Sequence, residues 1–460
     1  MSYQEFLSHK RILSRTSGRD VDESILNPNL FPFQRRLVSW ALRKGRCALF
    51  CDTGLGKTIQ QLAWAEHAAE RTLILAPLAV AHQTVREGSR FGIPVTYARC
   101  QDDAAPTGIT ITNYEMLSRF DTGQFGAVVL DESSILKNFD GKTRQALCDA
   151  FAETPMRLAC TATPAPNDIV EIGNHAEFLG VMPHVEMRAA FFTHEHDKAT
   201  SYKLKTHARD AFYRWMASWG MSIRKPSDLG FDDTGYDLPG LSIVSSIVET
   251  EHRPEGMLFA TSLNGIGERA KVRRATLDAR VARAVSLVES EPDEPWIVWC
   301  GLNDEAAAVA AAFPGAINVE GSMSPDAKAE ALAAFSEGRA RVIVTKPSIA
   351  GMGLNWQHCA RQVFVGLSDS YEDYYQCIRR SYRFGQVREV VAHIVLSDLE
   401  RAIYENVMRK ERDADRTAAE LVKHLAEFGK AEILGAGRAA LVYEPTRQAV
   451  LPSWLTRGAN

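Results

Sequence analysis

Short apolar runs alternate with helical segments twice along this chain of 460 residues, and that alternation leaves few folds open. In the first stretch the runs are RCALFC (46–51), RTLILAP (71–77), VTYARC (95–100), GITIT (108–112), AVVLD (127–131) and MRLACTAT (156–163). Helical segments at 34–44 and 78–91 lie among them. In the second stretch the runs are PWIVWC (295–300), AINVE (316–320), RVIVT (341–345), QVFVG (362–366) and VVAHIVL (390–396), with helical segments at 303–313, 325–337 and 371–380. A run that is apolar on both faces needs cover on both faces, and parallel strands joined by helical crossovers provide it. The expected class is α/β, with two parallel-sheet lobes at 1–180 and 291–435. Between them, 181–290 reads as a mostly helical insertion or brace with helices near 206–220 and 266–290. The charged helical stretch 399–430 is expected to pack on the second lobe, and 436–460 reads as a tail.

Asp52-Thr53-Gly54-Leu55-Gly56-Lys57-Thr58 lies between the first strand and a helix. Gly54 and Gly56 let the backbone curl until its N–H groups converge on an anion, and the helix N-terminus adds a favourable dipole. Lys57 is the cation expected on the β- and γ-phosphates, and Thr58 offers a hydroxyl to Mg²⁺. Thr53, Gly54, Leu55 and Gly56 complete the expected nucleotide cradle. Cys51 stands where the strict G-x-x-x-x-G-K-[ST] pattern has its first Gly. Further along, a buried run delivers Asp131 and Glu132 at its carboxyl end, where parallel sheets bind ligands. Asp131 is expected to hold Mg²⁺, and Glu132 to orient and deprotonate an attacking water. Phosphoryl transfer needs positioning and charge neutralisation more than covalent help, which suits this set. Taken alone, the two acids read equally as a strand end facing solvent; the phosphate-binding turn in the same domain counts against that.

On these residues the chain resembles a superfamily 2 helicase of the DEAD/DEAH type, and is most similar to the Swi/Snf-like branch found in bacteriophages and prophages. The resemblance covers about residues 30–180 and 295–400. It implies two tandem RecA-like P-loop lobes that use ATP and Mg²⁺. Phe33-Gln34 resembles the segment whose Gln reads adenine. Leu75-Ala76-Pro77 resembles motif Ia and Thr112-Asn113-Tyr114 motif Ib, both nucleic-acid contacts in the family. Asp131-Glu132-Ser133-Ser134 stands where the family has D-E-A-H or D-E-A-D, and Leu136-Lys137-Asn138 is similar to the Swi/Snf-type continuation. Thr161-Ala162-Thr163-Pro164 resembles motif III, which couples nucleotide state to grip on nucleic acid.

In the second half, Thr345-Lys346 and Gly351-Met352-Gly353-Leu354-Asn355-Trp356-Gln357 resemble motif V, with a spacer longer than the Swi/Snf pattern. The resemblance implies nucleic-acid contacts for Thr345 and Lys346 and a nucleotide contact for Gly353. The segment Gln376 to Gln386, with Arg379, Arg380 and Arg383, resembles motif VI. Arg380 and Arg383 are expected to share a helix face and to reach the γ-phosphate as arginine fingers, beside Gln376. Arg379 stands where the branch usually has Asp. With phosphates on one lobe and fingers on the other, ATP is expected to close the cleft and hydrolysis to open it.

Composition limits the partners. Lys and Arg total 53 against 57 Asp and Glu, a net charge of −4, so any nucleic-acid surface must be a local basic track. One candidate is Lys198, Lys203, Lys205, Arg209, Arg214, Arg224 and Lys225, interleaved with Tyr202, Phe212, Tyr213, Trp215 and Trp219. It reads equally as a track with rings that stack on bases and as a packed brace with a solvated basic face. His194-Glu195-His196-Asp197 lacks metal-ligand spacing and reads as a solvated loop. The 8 cysteines include no C-x-x-C pair and read as reduced, mostly buried thiols. No apolar run is long enough to cross a bilayer and the N-terminus is polar, so the expected location is the cytoplasm, that of the bacterial host if the protein is phage-encoded. The expected function is that of a nucleic-acid-dependent ATPase, a DNA helicase or translocase. It would act as a monomer on duplex DNA, with single-stranded DNA as a second track. Two other readings stay open: an ATP-dependent RNA helicase, and a nucleotide-gated nucleic-acid clamp with little turnover.

Overall fold

The computed structural model describes residues 14, 16–137, 141–194, 202–249, 273–351 and 354–433. In the first lobe β1 (Arg46–Cys51), β2 (Arg71–Ala76), β3 (Val95–Tyr97), β4 (Gly108–Asn113), β5 (Ala127–Asp131) and β6 (Met156–Cys160) fall on the expected runs. A short antiparallel hairpin, β7 (Phe192–His194) and β8 (Tyr202–Leu204), precedes β9 (Gly220–Ile223). The first sheet has the order β3-β4-β2-β5-β6-β1-β9, with every pair parallel. The second sheet consists of β10 (Leu241–Val248), β11 (Trp296–Cys300), β12 (Ile317–Asn318), β13 (Val342–Thr345), β14 (Arg361–Val365) and β15 (Val390–Ser397). Its order is β10-β15-β14-β11-β13-β12, again parallel throughout. Two α/β lobes with parallel sheets are therefore present. Among the described residues no helix is long and apolar enough to cross a membrane.

The segment 181–290 differs from the helical brace expected of it. It gives one strand to each sheet, β9 beside β1 and β10 beside β15, as well as the helices Arg209–Ala217 and Leu277–Ser290. GMSI is four residues long and carries no strand signature of its own; its pairing with β1 makes it a strand. The aromatic residues of this segment also settle between their two readings. Phe212, Tyr213, Trp215 and Trp219 are buried in the first-lobe core. Phe212 lies 5.4 Å from Phe191 and Trp215 lies 5.3 Å from Trp219. These rings are packing groups and are not free to stack on bases. Lys198 and most of the His194–Asp197 run lie outside the described residues.

The C-terminal helix Arg401–Ile433 is a second correction. It has 33 residues, about 50 Å of helix, and does not rest on the second lobe alone. Ile403 and Val407 enter the core of the second lobe, whereas Leu421 and Leu425 enter that of the first. Around the latter pair Tyr213 stacks on His424 at 4.4 Å and donates to Glu420 Oε2 at 3.1 Å. Arg209 pairs with Glu420, and Arg224 with Asp415. The apolar stripe with i, i+4 spacing was readable; that it spans two lobes was not.

Leu425→Ala opens a cavity in a fully buried site and is expected to cost about 2–5 kcal/mol, read as an earlier urea transition. A helix whose end lay free of the first lobe would leave that transition unchanged. His175 and His184 are both buried, and burial pushes each pKa down to about 4. The unfolded chain takes up these protons first, so their contribution is whole above about pH 6.5 and is lost as pH falls toward about 4. Urea midpoints at about pH 7.5 and about pH 5.5 should drop in the wild type and drop less in His175→Phe.

Candidate nucleotide site between the lobes

β6 lies between β1 and β5, so the loops after β1 and β5 stand about 10 Å apart, two strand spacings, with the Thr161–Pro164 segment between them. The loop after β1 carries the glycines. Gly54 and Gly56 have φ of 90° and 76°, and each is closely approached. A Cβ on Gly54 would lie 2.8 Å from the backbone nitrogen of Phe384, and one on Gly56 2.3 Å from Gln34 Nε2. The helix Lys57–Ala68 starts directly after. Lys57 Nζ donates to the carbonyl oxygens of Cys51 (3.0 Å) and Asp52 (3.5 Å), and Thr58 is half-buried in the first helical turn. Cys51 ends β1 with its side chain in the core, Sγ 3.6 Å from Gln60 Oε1, so a Gly is not required there. Gln34 is buried and uses both ends of its amide. Its Oε1 accepts from the Phe31 amide and its Nε2 donates to the Leu55 carbonyl, each at 2.9 Å. It thereby fastens the helix Pro32–Lys44 to the cradle formed by Thr53, Gly54, Leu55 and Gly56.

After β5 the chain turns sharply. Glu132 has φ of 52° and is the one non-glycine residue at positive φ among those described. Such a conformation is costly and is held by its surroundings. Tyr114 donates its hydroxyl to the Asp131 carbonyl at 2.6 Å, and His175 Nε2 lies 3.1 Å from Ser133 Oγ. Asp131 Oδ1 accepts from Gln61 Nε2 (2.7 Å) and from the Glu132 amide (3.1 Å). Burial raises the pKa of Asp131, against the Gln61 hydrogen bond and the charge of Lys57. Burial also pushes Glu132 up to about 7, with Lys57 and Arg380 opposing and Asp131 reinforcing. Glu132 Oε2 is buried without a hydrogen-bond partner.

The second lobe brings its cations to the same cleft, in a geometry unlike the expected one. The helix Tyr371–Ile378 ends before Arg380 and Arg383, so they do not share a helix face. The amides of Arg380 and Ser381 bond back to the carbonyls of Cys377 and Ile378, which tightens the chain into turns beyond the helix. The two guanidinium groups converge all the same: Nη1 of Arg380 and of Arg383 donate to the Leu354 carbonyl at 2.9 and 3.3 Å. Arg380 also donates to the Gln376 carbonyl and, from Nη2, to Gln376 Oε1 at 2.9 Å. Burial lowers the pKa of both arginines, that of Arg383 to about 10. Arg383 Nε and Gln376 Nε2 are buried donors without partners. Lys57, Asp131, Glu132, Gln376, Arg380 and Arg383 thus share one cleft, and Gly353 lies outside the described residues.

Four residues of this site carried no role in the sequence reading: Asp52, Gln61, Glu372 and Tyr375. Gln61 lies four residues after Lys57, and Tyr375 four before Arg379; that spacing is the available signal. Of the nucleic-acid candidates, Thr112, Asn113 and Thr345 are buried, and Tyr114 is engaged at Asp131. Pro77 and Lys346 are half-buried just past the carboxyl ends of β2 and β13. Among the described residues no three His, Cys, Asp or Glu side chains are grouped to hold a metal by themselves.

The family model for the SNF2-related domain matches residues 33–211, and that for the helicase conserved C-terminal domain matches 279–385. A SWI/SNF-related matrix-associated actin-dependent regulator of chromatin subfamily A-like protein 1 from Xenopus tropicalis is 28% identical over 193 residues, 39% of this chain and 20% of that protein. The putative ATP-dependent helicase/translocase YwqA of Bacillus subtilis is 28% identical over 195 residues, 36% of this chain and 21% of its own length. The chain thus spans about a fifth of the curated relatives it matches. A solved SWI2/SNF2 ATPase core from Sulfolobus solfataricus, in complex with double-stranded DNA, is 19% identical with a TM-score of 0.42, covering 90% of this chain and 99% of that one. One family model thus falls on each lobe: the first carries an SNF2-related domain and the second a helicase conserved C-terminal domain.

Proposed function

We propose that this chain is an ATP-dependent DNA translocase or helicase that hydrolyses ATP, with Mg²⁺, to move along duplex DNA. The observation that carries the reading is the convergence, in one cleft, of Lys57, Asp131 and Glu132 from the first sheet with Arg380 and Arg383 from beyond the second. A phosphate chain entering the cradle gives Lys57 a stronger partner than the two carbonyls it now touches. Glu132, with a free buried oxygen and a raised pKa, takes the proton of the attacking water. Arg380 and Arg383 leave the Leu354 carbonyl for the γ-phosphate, which draws the lobes together. Asp131 and Thr58 would hold Mg²⁺, which would supply charge neutralisation during phosphoryl transfer. Both halves of the site lie in one chain, which supports a monomer as the working unit. Pro77 and Lys346 are the half-buried positions from which the two lobes would grip DNA. The prophage type and a bacterial cytoplasm belong to the same reading, on sequence resemblance.

Steady-state ATPase assays with no polymer, duplex DNA, single-stranded DNA and RNA test the proposal. Duplex DNA should stimulate turnover most, and Lys57→Ala should abolish it. Glu132→Gln should bind ATP and lose at least about 100-fold in kcat. Stimulation by RNA alone would move the chain to RNA remodelling. ATP binding without turnover on any polymer would make it a clamp.

A further inference from the structure

Three contacts join the lobes through one face of a single helix. Tyr371–Ile378 presents Glu372 and Tyr375 and, one residue past its end, Arg379, at spacings of three and four that share a face. Glu372 pairs with Lys137, in the turn that follows Asp131 and Glu132. Tyr375 donates its hydroxyl to Asp52 Oδ1 at 2.5 Å, and Arg379 Nη2 lies 3.2 Å from Asp52 Oδ2. The side chains of this ion pair are only 12% and 15% exposed. The Arg379 guanidinium is held over the rings of Tyr375 (4.9 Å) and Tyr382 (5.4 Å). Asp52 also accepts from the Thr53 amide at 2.7 Å, so its carboxylate caps the first turn of the phosphate loop. Burial by itself would raise the Asp52 pKa; Arg379, Tyr375 and the Thr53 amide hold it below the usual range, so the pair is ionised. All of this happens next to the fingers, since Arg380 follows Arg379 directly.

We propose that Arg379, seconded by Tyr375, is a positioning residue: by pinning Asp52 it fixes the register of the Tyr371–Ile378 helix against the phosphate loop and sets where Arg380 stands relative to Glu132. The inference rests on the ATPase reading above. A buried guanidinium–carboxylate contact between the two lobes resists both sliding and rotation of the helix, which a lone apolar contact does not. Small displacements matter here, because a finger moved by an ångström loses much of its effect.

The test compares Arg379→Gln, Asp52→Asn and the double variant, with Arg379→Lys and Tyr375→Phe as gentler changes. Each Gln or Asn single is expected to lower kcat for ATP about 10- to 100-fold with KM for ATP within about threefold. The double variant should be no worse than the poorer single, and Arg379→Lys should recover most of the rate. Independently of turnover, Asp52→Asn in the first lobe should speed amide hydrogen exchange in the Tyr371–Ile378 helix of the second. Wild-type kcat in Arg379→Gln, losses that multiply in the double variant, or unchanged exchange in Asp52→Asn would each overturn the pin. A wild-type chain that turns over no ATP on any polymer overturns the ATPase reading alone, and hydrogen exchange then decides the pin.

Discussion

A strand paired parallel to its neighbours must return by a crossover, so its carboxyl end opens onto a loop and the loops of one sheet gather along one edge. Every pairing within both large sheets of this chain is parallel. The ends of β1, β6 and β5 therefore bring the glycine loop, Thr161–Pro164 and Asp131–Glu132 side by side. The second sheet sends the chain from β14 through Tyr371–Ile378 to Arg380. Neither lobe alone holds both the glycine loop and the paired arginines. The chemistry is divided by the topology, and a change in the contacts across the cleft is also a change in the site.

Burial gives the charges in this protein two distinct fates. Arg273 and Arg280 lie among Glu305 and Glu400, where Arg280, Glu305 and Glu400 are fully buried. That quartet fastens the Leu277–Ser290 helix to the carboxyl edge of the second sheet, and each guanidinium there faces carboxylates. The ion pair Arg379–Asp52 belongs with it. Arg380 is also buried and Arg383 half-buried, yet they face a neutral carbonyl, Leu354, and the amide of Gln376. Lys57 likewise donates to two carbonyls. In that quartet and in the Arg379–Asp52 pair charge meets opposite charge, whereas the cations of the cleft are held by neutral partners that an anion can displace.

The strands that form the interiors of both sheets were legible because runs such as LILA, VVL and WIVWC are apolar on both faces and too short to be buried helices. The glycine loop, the acidic pair and the arginines were legible as chemistry, since their residue types are constrained by phosphate. What stayed hidden depends on the partner. GMSI becomes β9 only beside β1, and Leu421 and Leu425 make an apolar stripe that does not name the lobe they enter. Trp215 and Trp219 carry rings suited equally to bases or to a core. Arg380 and Arg383 fit a helical spacing, but the chain leaves the helix at Ile378, and only the common acceptor at Leu354 reunites them.

The central claim is that catalysis requires a cation from the second lobe at a phosphate held by the first. Arg380→Ala tests it most directly, through ATP affinity and kcat measured on the same preparation with saturating DNA. The account predicts a loss of about 10³-fold or more in kcat with affinity changed only a few-fold. An Arg380→Ala protein with wild-type kcat, or one whose loss lies wholly in ATP affinity, would contradict it.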